Sequence, residues 1–256
     1  MKQHQVIQIN NLIKLKVFRS LNQAVRASTK LFINFAQTRP LTFLLSGGES
    51  PIPFYRNLAK SNLNWNGISL ISSDERIVEL SSKFSNTGMI QKELIDNIIS
   101  DEKPFLIKDY PQESKEINLK LDKLSHDISN NYIPTVAFLG IGTDGHTAGL
   151  FDTKDKGYEN SPYQNSKFNV VQRPADSFLR VSISMRFLLN IPNLVFFVTG
   201  KKKKSILTKI LEGSEYSKNL KYPFAFLLRN GLGKKIIICD ELAAPTNYST
   251  IKLKAI

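Results

Sequence analysis

The residues of strongest chemical character are an acid and an imidazole two positions apart, Asp144 and His146. They lie within Val136-Ala-Phe-Leu-Gly-Ile-Gly-Thr-Asp-Gly-His-Thr-Ala-Gly-Leu-Phe151. An imidazole with an unperturbed pKa of about 6.5 can take up and return a proton near neutrality, and an adjacent carboxylate can orient it. Glycines at 140, 142 and 145 make the backbone turn sharply and leave space above it. The apolar run before them, preceded by Pro134, has the pattern of a buried strand, and an apolar pattern resumes at Ala148, Leu150 and Phe151. A buried strand feeding a glycine turn that presents an acid and a histidine is where α/β proteins place their sites. Gly140-Ile-Gly-Thr-Asp-Gly145 also fits G-x-G-x-x-G, but a dinucleotide site needs a helix and then a strand ending in an acid about 20 residues on. Residues 152–169 are instead polar, contain Gly157 and Pro162, and show no strand pattern; they read as a surface loop. His146 would also crowd a pyrophosphate lying on the turn. The bland alternative, a turn whose histidine merely packs, is weakened by two further stretches.

The first is Ser46-Gly47-Gly48-Glu49-Ser50-Pro51, which follows the apolar run Leu41–Leu45. Ser50 before Pro51 reads as a helix start, with Ser50 as N-cap and Pro51 in the first turn. Paired glycines let bare amides approach a ligand, and the new helix adds the positive end of its dipole. In physical terms this is a phosphate cradle, although the Gly-Lys-Ser/Thr ending of a P-loop is missing; a tight turn between strand and helix is the plain alternative. The second is Asp74-Glu75-Arg76, at the carboxyl end of the strand-like Ile68–Ser72. Arg76 can hold a phosphate or carboxylate through a bidentate fork, while Asp74 or Glu75 orients it or binds sugar hydroxyls. Taken alone, this triplet would be a solvated charge cluster. Lys201 to Lys204 place four cations in the first turn of a helix, against its dipole, which points to an anion nearby, with a screened surface run as the plain alternative.

These residues need a scaffold, and the apolar periodicity supplies one. Helical spacing runs through Leu21, Ala24, Val25, Leu31, Phe32 and Phe35 after a lead-in, and Arg39-Pro40 ends it. Further helices open at Asn86-Thr-Gly-Met89, with Asn86 or Thr87 as cap, at about Glu116–Ile128, and through Ile206–Leu211. His126, on the second of these, reads as an exposed bystander. Strands are expected at 41–45, 68–72, 136–139, 180–184, 194–198, 224–228 and 235–239, with Arg173-Pro174 ahead of the fourth and Asp240 closing the sheet. This alternation predicts α/β architecture: a three-layer Rossmann-like domain around a mainly parallel sheet, one domain over 1–256.

Composition narrows the partners. With 256 residues, 41% hydrophobic and 22% charged, the chain can bury a sizeable core. The net charge of +13 suits an anionic small substrate, an anionic surface or nucleic acid, or reflects compositional bias. The single Cys239, in the run Ile236–Cys239, excludes an internal disulfide and reads as core. His4, His126 and His146 are the only imidazoles, and nothing has zinc-ligand spacing. The N-terminal residues lack the apolar core of a signal peptide and no run is long enough to span a membrane, so a cytoplasmic protein is expected.

Taken in order, Ser46-Gly47-Gly48-x-Ser50-Pro51, Asp74-Glu75-Arg76, Asn86-Thr-Gly-Met89, Gly140 to Phe151 and Val198-Thr-Gly-x-x-Lys203 resemble the 6-phosphogluconolactonases, which share a superfamily with the glucosamine-6-phosphate isomerases/deaminases. The resemblance spans about residues 20 to 245. The Asp-Gly-His core belongs to both branches. Thr147-Ala-x-Leu-Phe151 and Asp-Glu-Arg76 look like the lactonase, because the deaminases typically have Ile-Ala-Phe-Asn-Glu-Pro after the His and Tyr after the acidic pair. The resemblance implies hydrolysis of 6-phospho-D-glucono-1,5-lactone to 6-phospho-D-gluconate in the oxidative pentose phosphate pathway, with neither metal nor organic cofactor. It implies catalytic roles for His146, Asp144 and Arg76, and substrate or phosphate binding by Gly47, Gly48, Ser50, Asp74, Arg76, Arg180 and Lys203. The expected partner is a small sugar phosphate, without nucleic acid or membrane, in a monomer or homodimer. The chain departs from the family at Ser50, where Thr is usual, at Glu49, where Ser is common, and at Asp152, where Pro is usual. Glu49 sits beside the proposed phosphate cradle and is compatible with it only if the side chain points away. Two alternatives stay open: a deaminase/isomerase acting on glucosamine 6-phosphate, and a non-catalytic sugar-phosphate sensor or basic nucleic-acid binder. Against the last, no aromatics interleave the basic cluster.

Overall fold

The computed structural model describes residues 4–38, 41–151, 167–172, 177–212 and 222–251. Five apolar runs read as strands form the centre of an eight-stranded sheet. They are β3 (Leu41–Leu45), β4 (Ile68–Ser72), β7 (Pro134–Leu139), β10 (Asn193–Val198) and β11 (Lys234–Asp240). With β1 (His4–Gln8), β2 (Ile13–Phe18) and β6 (Phe105–Leu106), the order is β1-β2-β11-β10-β7-β3-β4-β6. All neighbouring pairs are parallel except β1–β2, which is antiparallel.

Successive residues of a strand face opposite sides, and here both sides are buried. On β3 and β7, Phe43, Leu45, Val136 and Phe138 belong to one apolar cluster, whereas Leu44, Ala137 and Leu139 belong to the other. The first cluster is covered by α1 (Leu21–Phe35), α2 (Ile52–Ala59) and α3 (Asn86–Glu93), through Phe32, Phe54 and Ile90. Phe32 stacks on Phe43, and Phe54 on Phe138. Burying each such ring contributes about 1.5–3 kcal/mol. The second cluster is covered by α4 (Ile117–Asn130), α6 (Lys204–Glu212) and α7 (Pro223–Asn230), through residues such as Leu124, Leu207 and Leu227. The short helix α5 (Met185–Leu189) packs on α7. The expected three-layer α/β domain with a mainly parallel sheet is therefore present. β3 leads through α2 to β4 on one side, while β7 leads on toward β10 on the other, so the crevice between their carboxyl ends is a topological switch point.

Several expectations need correction. The lead-in before α1 is a hairpin: Ile13, Leu15 and Val17 are buried and alternate with Lys14 and Lys16, a strand period. Residues 224–228 are not a strand but part of α7, with Pro223 in its first turn and Gly231 after its end. A short apolar run such as Phe-Ala-Phe-Leu-Leu does not separate a buried strand from a buried helix face, whereas its flanking Pro and Gly do. Ser50 does not cap α2; the capping position falls on Pro51 and carries no side-chain bond. Helix α3 is capped by Ser85 rather than Asn86 or Thr87, with the Gly88 amide donating to Ser85 Oγ at 2.9 Å. Asp74–Arg76 is a strand in its own right, β5, in a second sheet of order β5-β9-β8 that the sequence reading lacked. Its other members are β8 (Phe168–Gln172), which takes up the end of the supposed loop, and β9 (Leu179–Ile183). Most of that polar stretch, Asp152 included, lies outside the described residues, as do Arg173-Pro174 and Arg39-Pro40. His126 is exposed and Cys239 is buried, as expected.

Candidate active site

The turn after β3, the turn after β7, the β5–β9 pair and the segment leading into α6 converge on a cleft of about 220 Å³. His146, Arg76, Gly47, Gly48, Ser50, Asp74, Arg180 and Lys203 all line it. Asp144 stands behind His146 rather than on the wall. The sequence-predicted residues, more than 150 positions apart at the extremes, are thus brought to one place.

The turn after β7 is closed by the Gly142 amide donating to the His146 carbonyl at 2.8 Å and the Gly145 amide donating to the Gly142 carbonyl at 3.1 Å. Gly145 has φ +83°, and a Cβ on Gly142 would stand 2.0 Å from His146 Nδ1. Only glycine fits there, because the acid and the imidazole fold back over its Cα. His146 Nδ1 and Asp144 Oδ1 are 2.5 Å apart. That hydrogen bond, more than any other influence, holds the Asp144 carboxyl far below the usual carboxylate range, against a burial that pushes the other way. An ionised carboxylate only accepts, so Nδ1 carries a proton, and in the neutral imidazole it is Nε2 that holds the lone pair. The Phe151 ring packs 4.8 Å from the imidazole centroid to centroid.

The two glycines after β3 serve different needs. Gly48 has φ +84° with open space around it, a backbone requirement. Gly47 is required by a neighbour: a Cβ there would meet the Asn86 carboxamide at 2.0 Å. Ser46 ties this turn to the histidine turn. Its amide donates to the Phe138 carbonyl at 2.9 Å, its Oγ accepts from the Gly140 amide at 2.9 Å, and its carbonyl accepts from the Tyr55 hydroxyl at 2.6 Å. Tyr55 is fully buried and its hydroxyl stays protonated, because burial pushes its pKa up. Glu49 is solvent-exposed and lines the rim.

The second sheet sets the cations. Arg76 and Arg180 are direct cross-strand partners on β5 and β9, an arrangement of like charges that costs energy in an empty sheet. Both face the cleft, where an anion between them would relieve that repulsion. Arg76 Nη1 donates to the Phe84 carbonyl at 2.8 Å and to Asn86 Oδ1 at 2.6 Å. Arg180 Nη1 stands 3.7 Å from Asp74 Oδ2, with its guanidinium 5.8 Å from the Phe151 ring centre. Lys203 Nζ donates to the Ile141 carbonyl at 2.5 Å, and partial burial lowers its pKa while the nearby Asp144 acts in the opposite sense. Of the four clustered lysines only Lys203 lines the cleft; Lys201, Lys202 and Lys204 are exposed.

The structure separates the two acids that the sequence left interchangeable. Asp74 lines the cleft, whereas Glu75 is buried and accepts from Ser85 Oγ and the Asn86, Thr87 and Arg76 amides at 3.0, 2.7, 2.6 and 2.8 Å. Glu75 anchors the start of α3. Sequence reasoning missed Ser46, Asn86 and Phe151 as members of the site. The sequence offers Asn86 only as a cap, and no local pattern distinguishes a capping Asn from one turned toward another strand. Among the described residues, no three His, Cys, Asp or Glu side chains are grouped to hold a metal ion, and no helix is long and apolar enough to cross a membrane.

Known proteins share this arrangement of chain. The family model described as glucosamine-6-phosphate isomerases/6-phosphogluconolactonase matches residues 16–236. A 6-phosphogluconolactonase of Helicobacter pylori is 31% identical over 217 residues, covering 78% of this chain and 88% of the relative. One from Haemophilus influenzae is 29% identical over 223 residues, covering 84% and 92%. Among solved structures, a 6-phosphogluconolactonase of Thermotoga maritima superposes with a TM-score of 0.68 at 26% identity, over 90% of this chain and 99% of that one. The Trypanosoma brucei 6-phosphogluconolactonase shares the fold, with a TM-score of 0.73 at 21% identity over 90% and 97%. With a family model matched from β2 to β11 and a relative above 30% identity over most of both chains, this chain belongs to the glucosamine-6-phosphate isomerase/6-phosphogluconolactonase family.

Proposed function

We propose that the chain, as one domain over residues 1–256, hydrolyses 6-phospho-D-glucono-1,5-lactone to 6-phospho-D-gluconate, a step of the oxidative pentose phosphate pathway. The observation that carries the reading is one cleft with an Asp-oriented imidazole on one wall and Arg76, Arg180 and Lys203 around the rest. The relatives' names and the Thr147-Ala-x-Leu-Phe151 ending of the histidine turn favour the lactonase branch over the deaminase. The reading includes a cytoplasmic monomer or homodimer acting without metal or organic cofactor.

In this mechanism the phosphate lies against Gly47, Gly48 and Ser50, at the start of α2, with Arg180, Lys203 and Arg76 supplying charge. Binding this remote group fixes the lactone carbonyl over His146, so binding energy is used for orientation. His146 Nε2 takes a proton from a water as its oxygen bonds to C1. The carbonyl oxygen becomes an oxyanion, held by Arg76 or a turn amide. As the tetrahedral intermediate collapses, the bond from C1 to the ring oxygen breaks. That oxygen leaves as a hydroxyl, with the proton returned by the His146 imidazolium. Asp144 stabilises the imidazolium and fixes the tautomer throughout. In this reading Asp74 positions Arg180 and binds a sugar hydroxyl.

The test is hydrolysis of freshly generated lactone, measured above the spontaneous rate. Wild type should accelerate it, and His146→Ala should lose about 10²–10⁴-fold in kcat while still binding 6-phosphogluconate. A wild-type protein no faster than the spontaneous reaction would reject the lactonase reading and direct the assay to ammonia release from glucosamine 6-phosphate. A fully active His146→Ala protein would retain the reaction but remove His146 from it.

A further inference from the structure

We infer that Asn86 is a positioning residue that holds the Arg76 guanidinium in the cleft and sets the Gly47 turn beside it; the reading rests on the proposed lactonase activity. Asn86 is buried at the first residue of α3, yet its side chain does not serve the helix, because Ser85 caps it and Glu75 takes the Asn86 amide. Both ends of the carboxamide are committed elsewhere. Nδ2 donates to the Asp74 carbonyl at 2.8 Å and Oδ1 accepts from Arg76 Nη1 at 2.6 Å, so one planar group spans β5 from its first residue to its last. The same carboxamide fills the space a Gly47 side chain would occupy. A single residue therefore touches the phosphate turn, the backbone of the acid and the arginine.

An amide oxygen suits this task better than a carboxylate. Arg76 stands opposite Arg180 in register, so it is pushed away from its partner and needs an anchor. The Asn86 oxygen, beside the Phe84 carbonyl on the same Nη1, supplies that side-chain anchor without adding negative charge where an anionic substrate must bind. Asp at this position would preserve shape but add the charge, and would also turn an oxygen toward the Asp74 carbonyl.

The experiment is a double-mutant cycle on lactone hydrolysis and, independently, on 6-phosphogluconate affinity by calorimetry, using wild type, Asn86→Ala, Arg76→Ala and the double variant. Asn86→Ala should change the same parameter as Arg76→Ala, KM or kcat, by about tenfold, the scale of one hydrogen bond to a charged group. In the Arg76→Ala background it should add less than about twofold, because residues that act through one another are not additive. Asn86→Asp, which keeps the volume, should be impaired at least as much as Asn86→Ala. Additive effects, or an Asn86→Asp protein at wild-type KM and kcat, would overturn the inference and reduce Asn86 to packing. If wild type proves inactive on the lactone, the lactonase reading fails first, and the calorimetric cycle still decides the role of Asn86.

Discussion

A histidine can serve as a base only if one ring nitrogen keeps a lone pair for the substrate, and in the proposed mechanism one carboxylate decides which. Asp144 accepts from Nδ1, which leaves Nε2 toward the cleft. Because the Asp144 carboxyl is held below its ordinary range, the folded state binds a proton there less readily than the unfolded chain. The stability this contributes is fully present above the unfolded aspartate pKa of about 3.9 and is lost as pH falls through the lower folded value. Chemical denaturation followed from neutrality down through that window should therefore show wild type losing stability more steeply than Asp144→Asn. Equal slopes would mean that the carboxylate is not held as described. Asp144→Asn should also lower kcat at neutral pH, because an amide can donate to Nδ1 and select the wrong tautomer.

At the level of elements, the site depends on two parallel strands ending side by side and on a bond between the turns that leave them. Ser46 makes that bond: its Oγ accepts from the Gly140 amide, across 94 positions of sequence. Ser46→Ala should cost about 1 kcal/mol in denaturation experiments, the net worth of one hydrogen bond. It should also lower kcat, since the Gly47-Gly48 turn and the histidine turn would no longer move as one body. Unchanged stability and kcat would show that the turns are aligned by strand pairing alone. The small second sheet has the complementary role. By pairing Arg76 with Arg180 it places two cations on one face of the cleft, and Asp74, Asn86 and the Phe84 carbonyl hold them there.

Across the whole molecule, the net charge is +13, and exposed Lys201, Lys202 and Lys204 adjoin Lys203, which lines the cleft proposed to take an anion. Such a field raises the encounter rate of an anionic substrate and is screened by salt. Raising ionic strength from about 0.01 M to about 1 M shortens the screening length from about 30 Å to about 3 Å. Over that range kcat/KM for the phosphorylated lactone should fall several-fold, while kcat, measured at saturation, stays constant. A salt-independent kcat/KM would assign the excess charge to composition rather than to substrate capture.

How much was legible in the amino-acid sequence follows from the range of each interaction. Buried parallel strands are short continuous apolar runs, so five of the central strands could be read directly, and α1 and α4 declared themselves by period. The histidine turn was legible because its glycines, acid and imidazole are neighbours in sequence and fold back on one another. The β2 arm of the hairpin is written in the Ile13-Lys-Leu-Lys-Val17 alternation, a run too short to separate a strand from a lead-in until it pairs with β1 and β11. What only the tertiary structure decided involves partners far apart in the chain. The pairing of β5 with β9, the assignment of Asp74 to the cleft and Glu75 to a helix start, and the turning of Asn86 toward Arg76 are of this kind. Periodicity and capping preference are local properties of a chain. The hydrogen-bond partner of a buried polar group is set by whichever elements pack around it, and that information exists only once the sheet has formed.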